Sequence, residues 1–340
     1  MSGGVDSSVA VALLKEQGYD ITGVFMKGWY PKGIPCTWRE DRRDATRVAA
    51  SLEIPFHTFD FSKEYKKHVI DYMINEYKKG RTPNPDIMCN KHIKFDMFLK
   101  KAIEMGADYI ATGHYVKKNK VKPCSLVIAK DKNKDQSYFL WTLTQRQLKH
   151  CLFPLGKITK PEVRELAKKF KLSTAQKKDS QGLCFIGEFK MEDFLKDYIK
   201  PKKGNIVDQN GEKIGEHRGV QYYTIGQRHS FGVQGVEPYY IVEKNIKKNI
   251  LKVSSGEKEK DFYKKEVGIE NVNWVTGKAP DFSKEYSGRI RYRQPLQKCK
   301  LHKKGNEVLV KFNKPQRAVT SGQSLVLYNG DTLLGGGVIV

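Results

Sequence analysis

The stretch Met-Ser-Gly-Gly-Val-Asp-Ser-Ser, residues 1–8, decides the fold, and an apolar helical run over residues 9–14 follows it directly. Glycine lets the backbone come close to an anion and adopt positive φ. The N-terminus of a following helix offers unpaired N–H groups and the positive end of the helix dipole. The stretch therefore predicts a phosphate-binding loop. The alternative is a glycine-rich turn in which Asp6 or Ser7 caps the helix.

Strand-like and helical patterns alternate after this loop. Helices are predicted over residues 7–17, with Gly18 after the last turn, and around residues 45–52, 65–73 and 95–102. Apolar runs over residues 20–26, 55–61 and 108–115 predict buried strands. This alternation predicts an α/β fold with a doubly wound parallel sheet. Ligands of such sheets bind beyond the carboxyl ends of the strands, where Met26, Gly113 and His114 lie beside the loop.

Only Met1 precedes the phosphate loop, whereas a loop of this kind should follow a buried strand. The expectation is therefore that the first, central strand of the sheet is absent from this chain. Loss of a central strand exposes two strand edges. We accordingly expect a lowered stability and a lowered affinity for the phosphate-bearing ligand of the loop.

The pattern changes after Tyr115. A hairpin is predicted over residues 117–129 and helices over 135–143 and 144–152, and a capping box at Thr159 with Glu162 opens another helix that runs to Phe170. Strand patterns with a hairpin turn at residues 208–211 replace helices from residue 202 onward. Six short strands between residues 267 and 340 fit a small barrel. The predicted domains are residues 1–198, a small central β-rich domain at 199–263, and a C-terminal β-barrel at 264–340.

The chain is strongly basic, with 62 Lys and Arg against 38 Asp and Glu and a net charge of +24. Such a field indicates a nucleic-acid partner, although solvated lysines alone would give the same count. The six cysteines form no Cys-x-x-Cys pair, and no secretory or membrane-spanning segment is recognisable. We expect reduced thiols, no membrane partner, and residence in the cytoplasm or, in a eukaryote, the mitochondrial matrix.

Two cysteines stand in unusual surroundings. Cys89 ends the run Gly-Arg-Thr-Pro-Asn-Pro-Asp-Ile-Met-Cys, residues 80–89, in which the prolines predict a stiff extended loop. Lys91 follows closely and would favour a thiolate. Cys184 lies in Gly-Leu-Cys-Phe-Ile-Gly, residues 182–187, downstream of Lys177 and Lys178. Both patterns indicate reactive thiols, while the alternative for each is a small buried side chain.

The motifs together resemble a known family. Ser-Gly-Gly-x-Asp-Ser is similar to the PP-loop of ATP pyrophosphatases, which cleave ATP between the α and β phosphates and adenylate a substrate oxygen. With the two cysteine motifs, the chain resembles the tRNA-specific 2-thiouridylases, which thiolate the wobble uridine of tRNAs for Lys, Glu and Gln. The other matching stretches are Ala-Thr-Gly-His-Tyr at 111–115, Asp-Gln-Ser-Tyr-Phe-Leu at 135–140, Thr-Ile-Gly-Gln-Arg at 224–228, Arg-Tyr-Arg-Gln at 291–294 and Gly-Gln-Ser at 322–324.

The resemblance implies a role for each matching residue. Cys184 matches the cysteine that carries a persulfide, Cys89 the second nucleophile, which forms a disulfide, and Asp86 an acid or base. Residues that match the ATP site are Ser2, Gly3, Gly4, Val5, Asp6, Ser7, Ser8, Met26 and Gly113. Residues that match tRNA contacts are Asn84, Pro85, Asp86, His114, Lys134, Asp135, Gln136, Arg291, Tyr292 and Gln323.

The implied reaction needs ATP as co-substrate, Mg²⁺ with its phosphates, tRNA, and a cysteine desulfurase or a persulfide relay protein as sulfur donor. The target uridine would have to leave its stack to reach the site. No metal site is assigned to the protein, although an iron–sulfur cluster on Asp86, Cys89 and Cys184 is conceivable. The alternative functions are another adenylating PP-loop synthetase, or an inactive tRNA-binding remnant shortened at its N-terminus.

Overall fold

The computed structural model describes residues 1–31, 38–119, 121–179, 182, 184, 191–229, 239–255, 262–305 and 307–340. Cys36 lies outside these residues, as do most neighbours of Cys184. The α-helices are α1 Val5–Glu16, α2 Trp38–Ser51, α3 Ser62–Tyr65, α4 Asp71–Lys78, α5 Pro85–Met88, α6 Phe98–Glu104, α7 Gln145–Leu148, α8 Lys160–Lys169 and α9 Met191–Lys196. The strands of the first half are β1 Gly23–Lys27, β2 Phe56–Asp60, β3 Ile110–Ala111, β4 Lys117–Asn119, β5 Ser125–Val127 and β6 Cys151–Leu152.

The N-terminal region is an α/β unit with parallel strands, as predicted. β1 pairs in parallel with β2, and β3 pairs in parallel with β6, so the described strands form two separate pairs. Helix α1 packs against α2 and α8 through Val9, Val48 and Val163, all fully buried. Gly18 follows α1 with a φ of +82°, which confirms its predicted place after the last turn. The predicted capping box between Thr159 and Glu162 is also present at the start of α8.

Two long helices contain π-helical stretches. Residues 62–78 run through α3, a π-helix at Lys66–Ile70 and α4. Residues 85–104 run through α5, a π-helix at Cys89–Met97 and α6. A π-helix bonds residue i to residue i+5, which changes the faces on which side chains appear. This change of phase matters for the site, because Cys89 opens the second π stretch.

The predicted helices over 135–143 and 144–152 were wrong in extent. Only a 3₁₀ turn at Ser137–Leu140 and the single turn α7 form, and strand β6 follows. The Asp135 carboxylate accepts hydrogen bonds from the backbone N–H groups of Ala129 and Ser137 at 3.1 and 3.3 Å. Such side-chain bonds compete with helix formation, because they satisfy the same backbone donors.

The central β-rich region is a five-stranded sheet. Its strands are β7 Gly204–Val207, β8 Lys213–His217, β9 Arg228–His229, β10 Tyr239–Asn245 and β11 Ile250–Ser254, in the order β8-β7-β11-β10-β9. β7 and β8 form the predicted hairpin, in which Gly211 has a φ of +89°. Ile206, Leu251 and Val253 form its buried core.

The last six strands close into a barrel, which confirms the prediction. They are β12 Tyr263–Trp274, β13 Glu285–Arg289, β14 Gln297–Lys304, β15 Glu307–Arg317, β16 Ser324–Asn329 and β17 Thr332–Ile339. Closure comes from β12, which pairs with both β15 and β17. The β4–β5 hairpin of the N-terminal region continues the same sheet by pairing with β17.

A buried ion pair joins the barrel to the N-terminal region. The Arg289 guanidinium donates to the Asp135 carboxylate at 2.6 Å and to the Tyr328 hydroxyl at 2.6 Å. The side chains of Arg289 and Asp135 are only 7% and 1% exposed. A buried charge needs such a partner, because desolvation of an unpaired one is costly. The barrel is therefore fixed to the region that carries the phosphate loop and the cysteines.

Candidate active site

The segment before Cys89 starts a helix, and the predicted extended loop was wrong. Asn84 is the N-cap residue of α5, and its side-chain oxygen accepts from the Ile87 N–H at 3.4 Å. Pro85 occupies the first turn, where its missing N–H breaks no intrahelical bond. The helix then turns Asp86 and Cys89 inward. Cys89 is fully buried, whereas the loop prediction made it a poor candidate for burial.

The two cysteines singled out by the sequence meet in space. The Cys89 thiol donates to the sulfur of Cys184 at 3.7 Å, although 95 positions separate the residues. Both thiols are free, so the disulfide that the family resemblance implies is not formed here. Asp86 accepts a hydrogen bond from the Cys184 backbone N–H at 3.1 Å, and the Tyr65 hydroxyl donates to the Cys184 carbonyl at 2.6 Å. These contacts hold Cys184 beside the helix that bears Cys89.

The two thiols have opposite acidities. The hydrogen bond from Cys89 and the ammonium of Lys94 lower the pKa of Cys184 to about 7, against the effect of burial. Burial and the neighbouring sulfur raise the pKa of Cys89 well above its ordinary value. Burial also raises the pKa of Asp86. The arrangement therefore sets a nucleophilic thiolate, a protonated thiol and a carboxyl able to move a proton within one cluster.

The cation of this cluster is Lys94, which sequence reasoning missed. Lys94 lies five residues after Cys89 in the π-helix, where the i+5 bond brings the two residues together. Its ammonium hydrogen bonds to Cys184, and despite burial the nearby sulfurs and Asp86 raise its pKa. The predicted cations lie elsewhere: Lys91 is exposed, and Lys177 pairs with Asp41 and Asp44.

The phosphate-loop stretch begins α1 without a side-chain cap. Gly4 is the N-cap residue, so neither Asp6 nor Ser7 has the capping role of the alternative reading. The Ser7 hydroxyl donates to the Gly4 carbonyl at 3.0 Å. Gly3 has a φ of +76°, and an added Cβ would lie 2.3 Å from the Asp41 carbonyl oxygen. Gly3 is therefore required by its positive φ and by its contact with Asp41, whereas a Cβ on Gly4 would meet the Ser2 hydroxyl at 3.5 Å, an ordinary contact distance.

Gly113 closes one side of the loop. A Cβ at Gly113 would lie 2.9 Å from the backbone of Asp6 and Ser7, so only glycine fits against the first turn of α1. The Asp6 carboxylate accepts from the Tyr115 hydroxyl and from the Lys160 ammonium, each at 2.7 Å. Tyr115 and Lys160 were not predicted as site residues. Met26 lies near the end of β1 and is half-buried against the main core.

Lys160 extends this cluster toward the segment that carries Cys184. It pairs with Asp179 at 2.8 Å, and Asp179 also pairs with Lys134 and Arg164 at 2.7 and 2.8 Å. Despite partial burial, these cations lower the pKa of Asp179 to about 2. Asp179 is five residues before Cys184, so the ion pairs connect the two halves of the candidate site.

Most of the predicted tRNA contacts are already bound within the protein. Asp135 is in the buried ion pair, and Gln136 accepts from the Tyr115 N–H at 3.0 Å. His114 is buried, bonds to Thr112 at 2.8 Å and packs on Phe95. Their roles as RNA contacts stay predictions, as do those of Asn84, Pro85, Asp86, Lys134, Arg291, Tyr292 and Gln323.

Arg291 and Tyr292 lie where the barrel contacts the central and N-terminal regions. The Arg291 guanidinium donates to the carbonyls of Ile225 and Ala318 at 3.0 and 2.9 Å. The ring of Tyr292 packs on Phe139, with the ring centroids 4.5 Å apart. A groove of about 600 Å³ opens nearby and includes Lys132, Lys134 and Arg293 in its lining. The lining also includes the Arg289–Asp135 ion pair and Asp331, and Lys134 pairs with Asp179. Lys132 and Arg293 offer the positive charge that suits a phosphate backbone.

No group of three His, Cys, Asp or Glu residues that could hold a metal ion occurs within the described ranges. The donor arrangement of Asp86, Cys89 and Cys184 therefore gives the iron–sulfur alternative no support. None of the helices in the described part of the chain is long and apolar enough to cross a membrane.

Family models match the chain in three consecutive parts. A tRNA methyl transferase HUP domain matches residues 1–188, a tRNA methyl transferase PRC-barrel domain residues 192–255, and an aminomethyltransferase beta-barrel domain residues 264–339. The match of the HUP domain over residues 1–188 does not confirm the expected effect of a missing strand on stability and ATP affinity.

Curated relatives match along the whole chain. The tRNA-specific 2-thiouridylase MnmA of Streptococcus sanguinis is 46% identical over 349 residues, which cover all of this chain and 93% of the relative. The protein of the same name from Flavobacterium johnsoniae is 43% identical over 387 residues, with 100% and 98% covered. That from Halalkalibacterium halodurans is 47% identical over 345 residues, with 100% and 93% covered.

Similarity to solved structures is weaker. The U34-tRNA thiolase NcsA from Methanococcus maripaludis, a structure with a [4Fe-4S] cluster, is 20% identical with a TM-score of 0.35 over 58% of this chain and 62% of its own. The NMN synthetase from Francisella tularensis is 15% identical with a TM-score of 0.34 over 53% and 63%. At these values neither structure bears on the fold or the function.

Proposed function

Because this chain belongs to the family of tRNA-specific 2-thiouridylases, we propose that it catalyses the ATP-dependent 2-thiolation of the wobble uridine in tRNA anticodons. The observation that carries the proposal is the pair of thiols at 3.7 Å, one acidic and one not, beside a buried carboxyl. An adenylating synthetase without sulfur chemistry has no use for such a pair.

In the first step the oxygen on C2 of the uridine attacks the α phosphorus of ATP. Pyrophosphate leaves, and the base carries AMP on that oxygen. The glycines of the loop, the N-terminus of α1 and Lys160 would bind the phosphates, because they offer backbone N–H groups and a positive charge. Mg²⁺ would enter with the phosphates of the nucleotide.

In the second step the terminal sulfur of a persulfide on Cys184 attacks C2, and AMP leaves with the oxygen. Cys89 then attacks the Cys184 sulfur, so the carbon keeps the outer sulfur and a Cys89–Cys184 disulfide forms. The Cys89 proton must be removed and the AMP oxygen stabilised during these steps. Asp86 is in position to move a proton, since its raised pKa brings it closer to neutral pH. A reductant restores the two thiols.

The remaining assignments belong to the same proposal. The substrate set would be the tRNAs for Lys, Glu and Gln, and the sulfur would come from a cysteine desulfurase or a persulfide relay protein. A cytoplasmic residence agrees with five free cysteines among the described residues. We also propose that the three domains are separated at residues 198/199 and 263/264.

The test is thiolation of an unmodified tRNA with ATP and a persulfide donor. Cys89→Ser and Cys184→Ser should each abolish thiouridine formation, while ATP-dependent AMP attachment to the tRNA continues. The buried Cys151→Ser variant is the matched control, because that thiol contacts neither member of the pair. Full thiolation by both active-site variants would refute the persulfide mechanism.

A further inference from the structure

The barrel contacts the chain directly before the helix that carries Asp86 and Cys89. The turn at residues 320–323 joins β15 to β16 and lies against residues 81–83. The side-chain N–H₂ of Gln323 donates to the carbonyl of Thr82 at 2.9 Å and to that of Pro83 at 3.3 Å. One amide thus holds two consecutive carbonyl groups of a segment about 240 positions away in sequence.

Backbone contacts reinforce this hold. The Thr82 N–H donates to the Ser321 carbonyl at 2.9 Å. A Cβ on Gly322, whose φ is +91°, would lie 2.9 Å from the Thr82 carbonyl oxygen. The turn therefore approaches Thr82 as closely as a backbone without a side chain allows.

Arg81 is fixed to the barrel on the other side of Thr82. Its guanidinium donates to the Glu270 carboxylate of β12 at 2.8 Å and to the Ile339 carbonyl of β17 at 3.1 Å. The same guanidinium pairs with Glu76 at 3.1 Å. Arg81, Thr82 and Pro83 are thus each bound to the barrel by at least one hydrogen bond.

The geometry beyond Pro83 transmits this fixation to the site. Asn84 caps α5 and Pro85 begins it, so the segment has little freedom between the clamped carbonyls and the first helical turn. Asp86 follows at once, and Cys89 lies one turn later. The direction of this turn decides how Asp86 meets the Cys184 N–H and how Cys89 meets the Cys184 sulfur.

We propose that Gln323 is a positioning residue for sulfur transfer, and that the barrel turn 320–323 aims Asp86 and Cys89 at Cys184. This inference rests on the proposed function, and it differs from the tRNA contact that the family resemblance implies for Gln323. The barrel thereby becomes part of the catalytic unit. A displacement of about 1 Å in reacting groups can lower a rate by about a hundredfold, so a small loosening of the clamp suffices.

The test compares Gln323→Glu with Gln297→Glu in the full chain. The first change replaces the donating amide by a carboxylate that repels the Thr82 and Pro83 carbonyls. The second introduces the same charge at an amide of β14 that donates to the Pro295 carbonyl at 3.3 Å. We measure Cys89–Cys184 disulfide formation in a glutathione buffer without RNA, where one oxidised glutathione yields two reduced ones. The affinity for unmodified tRNA is measured in parallel.

Gln323→Glu should slow disulfide formation on the order of tenfold, the equivalent of about one lost hydrogen bond. The affinity of Gln323→Glu for tRNA should stay within about twofold of the affinity of Gln297→Glu. Gln323→Lys, which keeps a donor, should restore most of the rate. An unchanged disulfide rate together with a weakened tRNA affinity would overturn the inference and favour an RNA contact.

A second variant tests the same clamp if the first does not fold. Should Gln323→Glu fail to fold, Glu270→Gln weakens the Arg81 anchor from a half-exposed position, and the same slower disulfide formation is expected. A normal rate in Glu270→Gln would then count against the clamp. Disulfide formation needs neither ATP nor tRNA. This measurement therefore tests the position of Cys89 even if the proposed thiolation is not observed.

Discussion

Lys94→Met should raise the pKa of Cys184 and slow its reaction with electrophiles at neutral pH. The thiol has a pKa of about 7, so about half of it is thiolate at pH 7. The substitution removes the nearby ammonium but leaves the hydrogen bond from Cys89. We therefore expect a rise of about one unit, which lowers the thiolate fraction at pH 7 to roughly a tenth.

The assay is the rate of Cys184 alkylation by iodoacetamide between pH 5 and 10, followed by peptide mass. The wild-type profile should rise with a midpoint near 7, and that of Lys94→Met near 8. Lys94→Arg keeps the charge and should shift the midpoint less. Lys91→Met removes an exposed cation from the same helix and is the control. Coincident profiles for the wild type and Lys94→Met would refute the assignment of Lys94 as the cation of the site.

Three other predictions test the structure. Gly113→Ala places a Cβ 2.9 Å from the first turn of α1 and should lower the ATP affinity at least about tenfold, measured by calorimetry; an unchanged affinity would contradict the cradle. Arg289→Met leaves Asp135 buried and unpaired and should cost about 3–5 kcal/mol in urea unfolding, part of which Asp135→Asn in the same chain should recover. The tRNA affinity should fall by about tenfold or more between 50 and 200 mM salt, because the basic surface releases counterions, and a flat profile would count against that surface.

The sequence was informative where a local rule settles the structure. Three local patterns each correspond to an element in the molecule: the capping box at Thr159, Gly18 after the C-terminal end of α1, and the strand pattern over residues 267–340. The segment at Asn84 and Pro85 also follows a local rule, because an N-cap residue followed by proline is a helix-start signal. The additional proline at position 83 suggested a loop instead.

Other features could not be read from the sequence, because they depend on tertiary contacts. In an α-helix, residues five apart point to different faces, so an α-helical pattern does not place Lys94 beside Cys89. The π-helix brings the two residues together. The role of Asp135 likewise depends on contacts that are distant in sequence. Its backbone bonds prevent a helix, and its partner Arg289 lies in the barrel, 154 positions further on.

The difference between the two thiols also supports the order of the proposed steps. Cys184 is partly exposed and is the more acidic thiol, so it is the one able to take sulfur from a donor protein at neutral pH. Cys89 is fully buried and has a raised pKa, so it stays protonated and out of reach of that donor. While the outer sulfur is bonded both to C2 of the base and to Cys184, Cys89 lies close enough to attack the Cys184 sulfur, which breaks that S–S bond and leaves the outer sulfur on the base. If the two pKa values were exchanged, the ionised thiol would be the buried Cys89, which the donor does not reach, and the accessible Cys184 would be too weakly ionised to accept sulfur.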